Sequence, residues 1–181
     1  MKLSNHAKMG SLIWNNMSLN DMPLRKRLFL IGNLAPDLIF SYLFNKHSYS
    51  TCTSRLRRLL KRYYSGCVSK HSISFSFYSG VLTHYVCDFL CFPHTLAFNG
   101  SIREHVAYEK YQDVKEDEML PFNMHESMNI SLLDLCRALE ERIAKYELSL
   151  FQNINSSFSD IPLAVHAATW VASAVYQHAM T

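Results

Sequence analysis

The chain has 181 residues, 49% of them hydrophobic and 18% charged, which suits one packed core and excludes an intrinsically disordered chain. Its formal net charge is +3, too small a bias to argue for nucleic acid or a membrane as partner. No apolar run is long enough to span a bilayer: the nearest, residues 28–44, is interrupted by Asn33, Pro36 and Asp37.

Hydrophobic periodicity predicts helices along nearly the whole chain. The first runs from His6 to Met17, with Ser4 or Asn5 as its cap. Asp21 caps a second, with Pro23 in its first turn and Leu24, Leu28 and Ile31 along it. Gly32-Asn33 and Pro36 then break the chain, and Pro36 opens a new helix with Asp37 in its first turn. Residues 45–53 are polar and loop-like. Arg55 to Tyr64 is basic and amphipathic, with Leu56, Leu59, Leu60 and Tyr63 toward the core. Phe75 to Phe92 is apolar enough for a buried central helix, although its aromatic and β-branched content leaves a strand open for part of it. Ile102 to Tyr111 reads as helix and residues 113–123 as a charged linker. Ser127 to Leu150 places Leu132, Leu135, Leu139 and Ile143 at helical spacing. The last helix starts near Asp160-Ile-Pro162 and carries Val165, Trp170, Val171 and Val175. No strand-turn-strand signal and no internal repeat is present. The expected fold is all-α, one domain over residues 1–181, a bundle of about seven helices.

The residues that carry chemistry concentrate between Gly80 and Glu109. His84 and Asp88 are four apart, as are His105 and Glu109, and Pro93-His94 lies between the pairs. Positions i and i+4 share one helix face, so each pair can offer two ligands to one ion. Imidazole with carboxylate suits zinc and excludes neither manganese nor iron. A buried, unpaired Asp88 would be costly, so it needs a partner. Asp37, His47 and His6 add three ligand types at helix breaks and ends. Eight side chains exceed the four or so that one zinc takes, and fit two or three ions with bridging carboxylates.

Gly32-Asn-Leu-Ala-Pro-Asp37, His47, Gly80-x-x-x-His84-Tyr-x-x-Asp88, Pro93-His94 and His105-x-x-x-Glu109, in this order, resemble the zinc-dependent phospholipase C family, whose relatives include fungal single-strand nucleases. The resemblance implies an all-helical fold around a buried trinuclear zinc cluster. It implies that Asp37, His47, His84 and Asp88 hold one zinc, and that His94, His105 and Glu109 hold a second. His6 and Asp88 hold a third, with Asp88 as bridge. Asp37 is implied as general base as well as ligand. Secreted members complete the third site with a processed N-terminal residue. This chain starts with Met1, and what completes that site stays open.

Other features read as ordinary structure. Cys87 and Cys91 suit buried small apolar positions. His71, His125, His166 and His178 belong to no motif, Glu104 reads as solvated, and the Arg55–Arg62 basic cluster reads as a solvated helix face. Asn33 is a candidate hydrogen-bond donor behind the ligands. Five cysteines and a start without a signal-like apolar run point to reduced thiols in a cytoplasm.

The expected function is a metal-dependent hydrolase that cleaves phosphodiesters at a di- or trinuclear zinc centre. Its expected partner is a phosphodiester or phospholipid substrate, with contact to a membrane surface but no transmembrane segment. The alternatives are a nuclease or phosphatase at the same centre, with nucleic acid as substrate only, and an inactive zinc-stabilised binding domain. Oligomeric state is not legible.

Overall fold

In the computed structural model, residues 2–17, 23–38, 48–67, 72–115, 119, 122, 130–152 and 160–179 are described. Among them the protein is all-α, with seven α-helices, one 3-10 turn and no strand. The helices are α1 (Leu3–Asn16), α2 (Pro23–Leu38), α3 (Tyr49–Tyr64), α4 (Ile73–Phe89), α5 (Ile102–Tyr111), α6 (Leu132–Gln152) and α7 (Asp160–His178). The 3-10 turn, Phe92–His94, lies between α4 and α5.

The centre of the fold is α4. From Ser79 to Phe89 every residue is buried, so the helix is apolar all round rather than striped. It packs most extensively on α2 and next on α7. The α2 crossing is backbone on backbone. A Cβ on Gly32 would stand 1.9 Å from the Phe77 carbonyl oxygen, and one on Gly80 would stand 2.0 Å from that of Phe29. Only glycine admits this approach. α7 packs on α4 and is rich in small buried residues, Ala164, Ala167, Ala168, Ala172 and Ala174. Trp14 on α1 seals one side, 5.4 Å from the Phe29 ring and 6.2 Å from that of Tyr176.

Several predicted boundaries move. α1 starts at Leu3, with Lys2 at its cap position and no side-chain cap. Ser4 and Asn5 lie inside the helix, and Asn5 Nδ2 instead donates to the Gln112 carbonyl at 2.9 Å. Gly32-Asn33 and Pro36 do not break α2, and Asp37 falls in its last turn rather than the first turn of a new helix. Pro36 lies so near the C-terminal end that little of the hydrogen-bond ladder is lost, and Gly32 is held by the α4 crossing. α3 starts at Tyr49, not Arg55. Its buried stripe extends back through Cys52, and Tyr49 meets the Phe89 ring edge-on at 5.3 Å. The region that left a strand open is helix to Phe89, followed by the 3-10 turn.

The helix over Ile102–Tyr111 forms as expected, and Glu104 is more than a solvated acid. It closes a capping box with Ser101, accepting the Ser101 N–H at 2.6 Å while Ser101 Oγ accepts the Glu104 N–H at 3.3 Å. α6 begins at Leu132, where Ser131 Oγ accepts the Asp134 N–H at 3.1 Å, and it buries Leu135, Leu139 and Ile143. Asp21 and residues 123–129 lie outside the described residues. Among the described residues, no helix is long and apolar enough to cross a membrane.

Candidate metal centre

The α2–α4 crossing and the start of α1 bring four ligand-type side chains together. His6, Asp37, His84 and Asp88 each offer an atom within 4.8 Å of the others. His84 Nε2 is 3.1 Å from Asp88 Oδ2 and 3.6 Å from Asp37 Oδ1. His6 Nε2 is 3.2 Å from Asp88 Oδ1 and 3.8 Å from Asp37 Oδ2. These separations bracket the roughly 3.3 Å between ligand atoms on one tetrahedral zinc with bonds near 2 Å. The resemblance sets His6 apart at a third site, whereas here it shares a group with Asp37, His84 and Asp88. Its ring stacks on that of His84 with centroids 4.0 Å apart.

A second group adjoins the first. His94 from the 3-10 turn and His105 and Glu109 from α5 also lie within 4.8 Å of one another. Glu109 Oε1 is 2.5 Å from His105 Nε2 and 3.3 Å from His94 Nε2. Asp88 stands between the groups: its Oδ1 faces His6 and lies 3.7 Å from His94 Nε2, while its Oδ2 faces His84. His47 lies outside the described residues.

The donor set fits a metal. His84 Nδ1 is 2.8 Å from the Asn33 carbonyl oxygen, which only accepts, so Nδ1 carries the proton. Its Nε2 then faces two carboxylates, at 3.1 and 3.6 Å, an arrangement that a metal ion between them would satisfy. His6 is fully buried, and among the described residues neither ring nitrogen has a hydrogen-bond partner. Burial, helped by the neighbouring His84, pulls its pKa down to about 3, so a proton is a poor occupant there. Burial opposes ionisation of Asp88, but His94, His84 and His6 outweigh it and hold its carboxyl well below the usual carboxylate range. Glu109 is likewise depressed: burial opposes, and the hydrogen bonds to His105 and His94 prevail. Burial also lowers His94. The lowered His6 and His94 and the depressed Asp88 and Glu109 favour neutral imidazole and carboxylate, the metal-binding forms.

The model of the zinc dependent phospholipase C family matches residues 5–153. The chain belongs to this family. No curated protein and no solved structure matches it. The family is described as zinc dependent and as a phospholipase C, so membership implies a zinc hydrolase. All seven side chains of the two groups lie within the matched residues.

Two supports for the candidate metal centre carry little signal in the sequence. The Asn33 side chain does not reach a ligand. It donates to Thr83 Oγ1 at 3.0 Å, and it is the Asn33 backbone carbonyl that orients His84. A helical pattern gives no signal for a backbone acceptor. Asp160, read only as the start of a helix, is buried and collects three hydrogen bonds. Its Oδ2 accepts from Phe92 N at 2.9 Å and Tyr108 Oη at 2.5 Å, and its Oδ1 from Tyr146 Oη at 2.5 Å. The only available sign was an acid at a helix start, which is common without a further role.

Proposed function

We propose that this protein hydrolyses phosphodiester bonds as a phospholipase C-like enzyme. In this reading His6, Asp37, His84, Asp88, His94, His105 and Glu109 hold two or three zinc ions, with Asp88 shared between ions. His47 is proposed as a further ligand on its place in the family motif alone. The observation that carries the reading is the convergence of seven side chains from five separate elements into two adjoining groups, with Asp88 facing both.

Zinc, when bound, supplies Lewis acidity toward a phosphoryl oxygen and lowers the pKa of a coordinated water. The chain's own groups divide the remaining work by exposure. His6, His84 and Asp88 are shut off from solvent. Asp37, with 23% of its side chain exposed, is the carboxylate of the first group that solvent reaches. It is placed to accept the proton of a water attacking phosphorus. His105, 29% exposed, opens the second group on its own side. Asp37, Asp88 and Glu109 together repel an anionic substrate, and the charge of two or three divalent ions reverses that sign. Phosphodiester binding therefore depends on metal loading.

The substrate class follows the family: a phospholipid ester. The test compares zinc-loaded protein on a chromogenic phosphocholine ester, a simple phosphodiester and single-stranded DNA. Hydrolysis of the phosphocholine ester is expected, with kcat about 10²–10⁴-fold lower for Asp37→Asn. Faster cleavage of DNA would move the assignment to a nuclease at the same centre. No turnover on any substrate, with zinc verified present, would leave a zinc-stabilised binding domain.

A further inference from the structure

Asp160 is 4% exposed, belongs to neither ligand group and lies beyond the residues matched by the family. Its three hydrogen bonds reach three different elements. Phe92 N–H belongs to the turn that carries His94. Tyr108 belongs to α5, which carries His105 and Glu109. Tyr146 belongs to α6. Bonds to an ionised acceptor are roughly twice as strong as neutral ones. Burial raises the Asp160 carboxyl, while the Phe92, Tyr108 and Tyr146 donors counter it. Its place in the first turn of α7 adds to the stability of the anion.

α5 needs such a tie. None of its residues is buried, and Ile102, Val106 and Tyr111 are 84%, 57% and 87% exposed. A helix of ten residues has little stability of its own. Tyr108 lies one residue before Glu109 and three after His105, so the point held by Asp160 sits in the same turn as both ligands. The Tyr108 ring also meets that of Phe92 at 5.6 Å, against the same turn that Asp160 holds by its backbone. One carboxylate thus fixes both sides of the gap across which His94 and Glu109 meet at 3.3 Å.

We infer that Asp160 is a positioning residue for the His94–His105–Glu109 group. Through Phe92 N–H and the Tyr108 hydroxyl it sets the spacing between turn and α5 at which the three ligand atoms converge. The inference rests on the reading of this group as a zinc site.

The test uses the full chain and two readouts. One is zinc affinity by competition with a chromophoric chelator, with sites assigned through Glu109→Gln and Asp37→Asn. The other is amide hydrogen exchange of α5 in metal-free protein. Tyr108→Phe keeps the ring and removes one bond. It is expected to speed exchange in α5 about tenfold. It should also weaken the zinc that Glu109→Gln abolishes by about 10–100-fold, and leave the zinc that depends on Asp37 unchanged. Asp160→Ala should do the same or more. Asp160→Asn can turn its oxygen to Phe92 and Tyr108 and its NH₂ to the Tyr146 oxygen, and should stay within about threefold of wild type. If Asp160→Ala does not fold, Tyr108→Phe still decides. Wild-type exchange and zinc affinity in Tyr108→Phe would overturn the inference. So would equal weakening at both groups with a lower metal-free melting temperature, which marks a general structural role. Zinc insensitive to Glu109→Gln would instead remove the metal reading of this group, and the exchange comparison would still judge the clamp.

Discussion

Replacing Gly32 with alanine tests how the α2–α4 crossing builds the centre. The new Cβ would stand 1.9 Å from the Phe77 carbonyl oxygen and 2.7 Å from its carbon. The obstacle is backbone, so no rotamer change relieves it, and the helices must part by roughly 1 Å in an interior that tolerates little slack. Overpacking costs about 1–3 kcal/mol, here at the upper end, and alanine returns about 1 kcal/mol in helix propensity, leaving a net loss near 2 kcal/mol. Parting the helices also pulls the Asn33 carbonyl from His84 Nδ1 and Asp37 from His84 Nε2, contacts now at 2.8 and 3.6 Å. Zinc affinity at that group should fall at least about tenfold. Urea unfolding of the metal-free protein reads the first effect and chelator competition the second. Gly10→Ala is the control, since its Cβ would meet only Asn33 and Leu30 side chains at 3.2 Å. Equal stability of the two variants, or unchanged zinc affinity in Gly32→Ala, would refute the reasoning.

Other outcomes follow from the same geometry. Asp88→Asn should weaken zinc at both groups, because its oxygens face both, while Glu109→Gln should affect one; a loss confined to one group in Asp88→Asn would end the shared-ligand reading. Metal-free protein should lose stability as pH falls. His6 drops from an unfolded value near 6.5 to about 3, so the unfolded state binds the extra proton and stability declines across that window by about 1.4 kcal/mol per pH unit at most. Asp88 and Glu109, also depressed, add the same sign below about pH 4. Acid titration of His6→Gln should show a shallower slope between pH 6 and 4, and an identical slope would count against burial of a neutral His6. Removing zinc held at about a thousandfold over its dissociation constant should cost about 4 kcal/mol, which is roughly 8–16 °C of melting temperature for a chain this size. An unchanged melting curve with metal loss verified would contradict the coupling.

Much of this was legible in the sequence, for reasons that particular residues make plain. The His84/Asp88 and His105/Glu109 pairs follow from i, i+4 spacing, and both pairs meet in space. Ile102–Tyr111 forms with the predicted ends, its start held by the Ser101–Glu104 capping box. Pro36 misled because proline is a local signal, while α2 runs on through it to Leu38, with Gly32 in a long-range close approach to Phe77. The early start of α3 was hidden because half-buried Tyr49 and buried Cys52 are covered by partners elsewhere in the chain, among polar neighbours that read as loop. Asp160 and the Asn33 carbonyl were illegible for a common reason. Each acts through a hydrogen bond whose other end is more than 50 residues away, or on the backbone itself.

The central claim, that two adjoining groups of imidazoles and carboxylates form a multinuclear zinc centre, is tested most directly by elemental analysis of the purified, metal-replete chain. The account predicts two or three zinc ions per chain. Zero or one would contradict it.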